Sequence, residues 1–282
     1  LIVSVHAIVN HALTRAVREL GWQQRVPYYI VCTDLTDHFL KGWANPNVTG
    51  VIAFTEKARR QMIAYGLPAE KIIVHSGFPV NPSFFAGTQS REDARIALDL
   101  DPKTFTILIS MGGMAIPRKT IAIVRALCAS GLPLQLLVIC GMNRSLKRVM
   151  HRVAYNAPLR IDVYGFTDRM SEMMTAADLL ITKPGPGSIM EAVIKELPLL
   201  LDATTEPMPQ ERGNLAFALE QGIAREITNY RRLPQQVQRL LTDPQEYETI
   251  RDNMRKIKNE NGIFDVVETL LASLPQPAMV GK

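Results

Sequence analysis

Apolar runs of strand length alternate with helix-length segments along almost the whole of this chain, and that alternation limits most strongly what it can fold into. The runs fall at 1–5, 28–32, 50–54, 72–75, 106–110, 134–139, 161–163, 179–182 and 197–201. Between them, 7–20, 55–65, 118–130, 145–155, 188–196 and 213–221 carry helical periodicity. Continuous apolar strands linked by helices predict parallel sheets covered on both faces, the α/β class. The polar segment 81–93, which holds Pro82 and Gly87, interrupts the rhythm and predicts a boundary between two domains, placed at 1–85 and 86–272. Residues 235–271 read as two or three terminal helices, and 273–282 as a frayed tail.

Open parallel sheets bind ligands beyond the carboxyl ends of their strands, so the loops that follow the runs are expected to carry the chemistry. The most informative is Thr182-Lys183-Pro184-Gly185-Pro186-Gly187-Ser188 after the run 179–182. An apolar run, two glycines and a serine placed to cap the next helix aim free backbone N–H groups at one point, which favours a phosphate. Glu191, about one turn into that helix, is placed to reach a sugar hydroxyl beyond it. The glycines alone fit an ordinary strand-to-helix turn equally well.

The other strand-end loops are weaker singly. Gly112 and Gly113 allow close approach of backbone to a diphosphate or sugar. Asn143 and Arg144 follow the run 134–139, and Gly165 and Phe166 follow 161–163, where the ring is suited to covering a nucleobase. Gln210, Glu211 and Asn214, in a loop held open by Pro207 and Pro209, offer groups for a hydroxyl-rich ligand. In the first half, Asp34, His38 and Trp43 are candidates to line a cleft, with His6 and His11 beside the first run. Gly77-Phe78-Pro79-Val80 suits a hinge at the cleft floor.

At 282 residues the chain is long enough for two cores, and its 47% hydrophobic and 21% charged residues exclude disorder and a bundle of membrane spans. The net charge of +5 fits attraction to an anionic lipid surface or a phosphorylated substrate. Basic residues are spread rather than gathered with aromatics, so nucleic acid is not expected as a partner. Cys32, Cys128 and Cys140 have no metal-ligand spacing and read as buried free thiols of a reducing cytoplasm.

Taken in order, these motifs resemble the glycosyltransferases that move a hexose from a UDP-sugar to diacylglycerol: the monogalactosyldiacylglycerol synthases and bacterial diacylglycerol glucosyltransferases. The chain is similar, more distantly, to the N-acetylglucosaminyltransferase that makes lipid II. The matching pieces are Ser4-Val5-His6 with His11, Thr33-Asp34 with His38 and Trp43, Gly77 to Val80, Gly112-Gly113, Cys140-Gly141 with Asn143, Gly165-Phe166, Thr182 to Gly187 with Glu191-Ala192, and Gln210-Glu211 with Gly213-Asn214. Met114-Ala115-Ile116-Pro117 departs from the more glycine-rich loop usual there.

The resemblance implies a GT-B fold, two Rossmann-like doubly wound domains facing a cleft, with the N-terminal, lipid-accepting domain incomplete. It implies UDP-glucose or UDP-galactose as co-substrate, no cofactor and no metal, a diacylglycerol-type acceptor, and peripheral attachment to an anionic membrane surface on its cytoplasmic face. Donor contacts would come from Gly112, Gly113, Asn143, Gly165, Phe166, Gly185, Gly187, Ser188, Glu191, Gln210, Glu211 and Asn214. Glu191 would hold the ribose, and Gln210 and Glu211 the transferred sugar. His38, Asp34 and His6 are the catalytic candidates within the chain. The main base is expected in a Gly-His motif upstream of Leu1, which leaves turnover by the chain as given open. Transfer is expected to invert the anomeric centre. The alternatives are another UDP-sugar enzyme of the same fold, such as an epimerase, and a non-catalytic UDP-sugar-binding module.

Overall fold

The computed structural model describes residues 1–37, 39–86 and 89–274, and for Pro209 and Gln210 the backbone alone. His38, Gly87 and residues 275–282 of the expected tail lie outside the described residues. The strands are β1 Ile2–Ser4, β2 Tyr28–Val31, β3 Gly50–Ala53, β4 Ile72–Val74, β5 Phe105–Ser110, β6 Leu134–Ile139, β7 Arg160–Tyr164, β8 Leu179–Thr182, β9 Leu199–Asp202 and β10 Ala224–Ile227. The helices are α1 Asn10–Glu19, α2 Glu56–Ala64, α3 Arg91–Ala97, α4 Pro117–Cys128, α5 Arg144–Tyr155, α6 Met170–Ala176, α7 Pro186–Ile194, α8 Pro209–Glu220, α9 Leu233–Thr242, α10 Pro244–Ile257 and α11 Ile263–Ala272.

The chain forms two compact units, Leu1–Asn81 with Pro209–Asn214 and Asn259–Lys282, and Pro82–Met208 with Leu215–Lys258. The first holds a four-stranded parallel sheet in the order β1-β2-β3-β4. Tyr28, Ile30, Val51, Ala53, Met62 and Trp43 form its core. Thr55 starts α2 by accepting from the Ala58 N–H at 3.1 Å, with Glu56 adding a favourable charge in the first turn. Buried Asn10 is fully used: its amide oxygen accepts from the Tyr28 hydroxyl at 2.9 Å and its Nδ2 donates to the Gly42 carbonyl at 2.9 Å.

The second unit holds a six-stranded parallel sheet in the order β10-β9-β8-β5-β6-β7. From β5 the chain winds outward through β6 to β7, then returns to the other side of β5 for β8, β9 and β10. The order therefore reverses between β5 and β8, and such a switch point opens a crevice at the carboxyl ends of its two strands. Both end level, Ser110 opposite Thr182, with the Thr182 hydroxyl donating to the Ser110 carbonyl at 2.6 Å. Ile107–Ile109, Leu136–Val138, Leu179–Ile181 and Leu199–Leu201 are buried on both faces, which is why these strands read as unbroken apolar runs.

The structure differs from the sequence expectation in three elements and one grouping. It adds α3, which starts at the end of the polar segment and runs past it, α6 after Gly165-Phe166, and β10 at the sheet edge, where Arg225 and Glu226 interrupt the apolar pattern. The terminal helices do not stay together: α11, expected in the second domain, groups with the first unit. Side-chain amides make that return: Asn259 Nδ2 donates to the Ser76 carbonyl at 2.6 Å and Asn261 Nδ2 to the Val80 carbonyl at 2.8 Å. A Cβ on Gly262 would stand 1.7 Å from the Gly77 carbonyl oxygen, so the backbones meet where only glycine fits. The stretch expected as a hinge, Gly77 to Val80, anchors the segment that leads into α11.

Candidate functional site

Four glycine-bearing loops follow β5, β6, β7 and β8, four adjacent strands, and stack on one another at one end of the second sheet. A Cβ on Gly141 would lie 2.1 Å from the Gly113 carbonyl oxygen, and φ at Gly141 is +54°, so both space and backbone conformation require glycine there. The Met142 N–H closes the contact by donating to the Gly113 carbonyl at 3.0 Å. Gly112, at φ +86°, would place a Cβ 3.1 Å from Cε of Lys183, and Gly165 would place one 3.6 Å from the Gly141 carbonyl. Gly113 and Gly187 instead face open space. Their backbones are accessible to a ligand.

Helix starts add directed donors to this end. α4, α5 and α7 follow β5, β6 and β8, so their N-termini and the positive ends of their dipoles lie with the glycine loops. α7 begins earlier than expected. Gly185 is its N-cap and Pro186 its first residue, with no side-chain cap, so Ser188 is inside the helix and does not cap it. Proline wins that position because its φ is already helical and its missing N–H is no loss there. The Gly185 N–H donates to the Lys183 carbonyl at 2.7 Å and Pro186 has none, which leaves the Gly187 and Ser188 N–H groups without intrahelical acceptors.

Glu191 accordingly stands in the second turn of α7, not the first. It is half-buried, and its carboxylate has no hydrogen bond or ion pair among the described residues. Burial pushes its pKa up from the ordinary value. Phe166, in the loop after β7, is 75% exposed, a ring left unused by the core. Asn143 is spent structurally: its side chain caps α5 by accepting from the Leu146 N–H at 2.9 Å.

The remaining expected residues belong to the first unit. Gln210, Glu211 and Asn214 are not in an open loop; they lie on the first turns of α8, which Pro209 starts, and the Gln210 side chain is outside the described residues. Asn214 is buried. Its Oδ1 accepts from the Leu35 N–H at 3.1 Å and its Nδ2 donates to Asp34 at 3.2 Å. Asp34, also buried, accepts from Trp43 Nε1 at 2.6 Å. Burial raises the Asp34 pKa and these two donors offset part of that rise. His6 is exposed and its Nδ1 accepts from the Ile8 N–H at 3.3 Å, capping a short turn. His11 is exposed on α1. Composition did not signal the Asp34–Asn214 pairing, which joins residues far apart in sequence.

Cys32 and Cys140 are buried and Cys128 half-buried, all as free thiols, and burial pushes Cys140 up to about 11. Among the described residues no helix is long and apolar enough to cross a membrane.

Comparison with known proteins gives the same order of parts. The sequence model of the monogalactosyldiacylglycerol (MGDG) synthase family matches residues 1–80, and that of the glycosyltransferase family 28 C-terminal domain matches 107–270. Monogalactosyldiacylglycerol synthase 2 of Arabidopsis thaliana is 29% identical over 96% of this chain and 58% of its own length. The probable monogalactosyldiacylglycerol synthase 2 of Oryza sativa subsp. japonica is 31% identical over 100% of this chain and 60% of its own. The chain thus spans under two thirds of these relatives. Anabaena HepE in complex with UDP superposes with a TM-score of 0.62 at 19% identity, over 94% of this chain and 77% of that one, which shows the α/β fold of GT-B type. The chain belongs to glycosyltransferase family 28, carrying the monogalactosyldiacylglycerol synthase match ahead of the family's C-terminal domain.

Proposed function

We propose that this chain takes part in transferring a hexose from a UDP-sugar to the hydroxyl of a diacylglycerol-type lipid, with inversion and without a metal at the diphosphate. One observation carries the reading: at the β5/β8 switch point, two N–H groups of α7 without intrahelical acceptors precede a half-buried carboxylate, Glu191, that has no partner among the described residues. A diphosphate suits the Gly187 and Ser188 N–H groups. A ribose diol suits Glu191, since two O–H donors satisfy a carboxylate that burial otherwise penalises. Phe166 is free to cover the uracil. The names of the relatives and the UDP held by HepE support donor and acceptor.

In the proposed reaction the acceptor hydroxyl gives its proton to a base as its oxygen attacks the anomeric carbon, and the bond to UDP breaks on the opposite face. Charge developing on the leaving diphosphate is met by the α7 N-terminus. Glu211 and Gln210 are assigned to hydroxyls of the sugar. Asp34, already holding two donors, acts on this reading by fixing the first turns of α8 through Asn214 rather than as the base. The exposed Val5, Ile8, Val9 and Leu13 of the first unit, with Arg15 and Arg18 on the same helix as Leu13, suit contact with an anionic lipid surface.

The test is calorimetry with UDP, joined to transfer of labelled sugar from UDP-galactose or UDP-glucose to diacylglycerol vesicles. Glu191→Ala is expected to weaken UDP binding by about 10- to 100-fold, the worth of hydrogen bonds to a charged group. UDP affinity unchanged in that variant removes the donor assignment. Sugar released or epimerised, with none on lipid, removes the acceptor assignment.

A further inference from the structure

The second unit carries a basic cavity at the end of its sheet away from the glycine loops. All six strands are parallel, so the segments that enter them lie opposite the loops that leave them. The cavity sits among entering segments: Lys195 and Glu196 lead from α7 to β9, and Arg91 holds Asp178, the residue before β8, at 2.8 Å. Its volume is about 430 Å³. The wall brings four cations, Arg91, Lys195, Arg251 and Lys258, against one carboxylate, Glu196, and adds the apolar faces of Phe84, Phe85 and Ile194.

Internal pairing accounts for part of this charge: Asp178 holds Arg91 and Glu248 holds Arg251, each at 2.8 Å. Glu196 is shared by Arg251 at 3.5 Å, Lys258 at 3.0 Å and Arg255, from outside the wall, at 2.9 Å. Lys195 is half-buried, meets no carboxylate among the described residues, and has Lys258 as its charged neighbour. Burial, and then the Lys258 charge, lower its pKa, which is the mark of a cation held where it is penalised. Arg251 Nε is buried with no hydrogen-bond partner among the described residues. One buried donor at this cavity, Arg251 Nε, is thus unsatisfied, although buried donors are almost always paired, and a half-buried ammonium without a carboxylate stands on the same wall. The negative end of the α7 dipole explains one cation at Lys195. It does not explain the unpaired Arg251 Nε on the same wall. Lys195 also borders an adjoining cavity of about 340 Å³, so the residue lines both spaces.

We propose that this cavity binds a phosphate-bearing anion, with Lys195 and Arg251 as its direct donors and the organic part of the ligand against Phe84, Phe85 and Ile194. The shared chemistry is a phosphate ester, either of a soluble metabolite or of a lipid headgroup. Nothing in this assignment depends on the donor site at the other end of the sheet.

Calorimetry of the 282-residue chain with inorganic phosphate, at saturating UDP to keep the glycine-loop end occupied, tests it. Saturable phosphate binding is expected, and Lys195→Met, which keeps the aliphatic stem, is expected to weaken it about tenfold. Arg152→Ala removes an exposed positive charge elsewhere in the same unit and is expected to leave binding within about twofold. Lys195→Arg, which restores the charge, serves as the second variant should Lys195→Met lose its thermal transition, and it retains binding if the assignment holds. Flotation with phosphatidylcholine vesicles, with and without phosphatidate, separates the sources. Lys195-dependent flotation assigns the anion to a lipid, and phosphate binding without flotation assigns it to a soluble ester. Loss of phosphate binding when UDP is added, or equal weakening by Lys195→Met and Arg152→Ala, overturns the proposal.

Discussion

At Glu191 the chain keeps a half-buried carboxylate with no partner among the described residues, while the first N–H groups of α7 likewise lack intrahelical acceptors. Its folded-state pKa lies above the unfolded one, so ionisation opposes folding. The associated stability is fully present below the unfolded pKa, near 4.3 for a free glutamate, and is lost as pH rises through the raised folded value. Glu191→Gln is therefore expected to raise the melting temperature at pH 7 while weakening UDP binding by about tenfold. Differential scanning calorimetry between pH 3 and pH 7, about the span in which glutamates titrate, should show the thermal gain vanish at the acid end. A gain that persists there would mean the effect is packing rather than charge. Asn214 illustrates the opposite case. Its type suggested a ligand group, yet both ends of its amide are occupied by Asp34 and Leu35. A residue's chemistry is readable from its name, but whether that chemistry is already used is decided by partners distant in sequence.

Among elements, the glycine loops work as a stack rather than as separate turns. Gly141→Ala would put a methyl group 2.1 Å from the Gly113 carbonyl at a positive φ. The expected cost is about 2 kcal/mol or more, read as a lowered urea midpoint, together with weaker UDP binding because the loop after β5 must move. The opposite end of the sheet is held differently. Asp178 accepts from the Thr106 N–H at 2.7 Å and from Arg91, and pairs closely with buried Arg95, which also donates to the Ala176 and Pro102 carbonyls at 2.8 and 2.9 Å. Arg95→Ala should cost about 3 kcal/mol in urea denaturation, since it takes one of two cations from a buried carboxylate and leaves two carbonyls without their donor. The alternation that predicts β5, β6, β8 and β9 works because those strands are buried on both faces. β10 and α6 escape it for physical reasons: β10 is an edge strand with Arg225 and Glu226 inside it, and α6 has seven residues, two turns that give periodicity little to act on. The α7 start was legible as a turn but not to the residue, because Pro186 and Ser188 both favour a helix start and only the backbone decides between them.

For the whole molecule, the first unit is assembled from three separated stretches of chain, 1–81, 209–214 and 259–282. A fragment of residues 1–81 would lack the hydrogen bonds to Ser76 and Val80 from Asn259 and Asn261, and those to Asp34 and Leu35 from Asn214. It is expected to show no cooperative thermal transition, whereas residues 82–258 should melt as one unit; near-ultraviolet circular dichroism of the two fragments checks this. A cooperative transition in 1–81 would make the later stretches accessory. This division was the least legible feature, because a return of the chain leaves no composition signal, only glycines at 77 and 262 whose meeting appears once the backbone is folded. The meeting of Gly77 and Gly262 also sets an order of events on the ribosome. Although the first sheet is translated first, its closing contacts at Ser76, Gly77 and Val80 await residues made after nearly all of the second, so a nascent chain carries that loop without its partners throughout the interval.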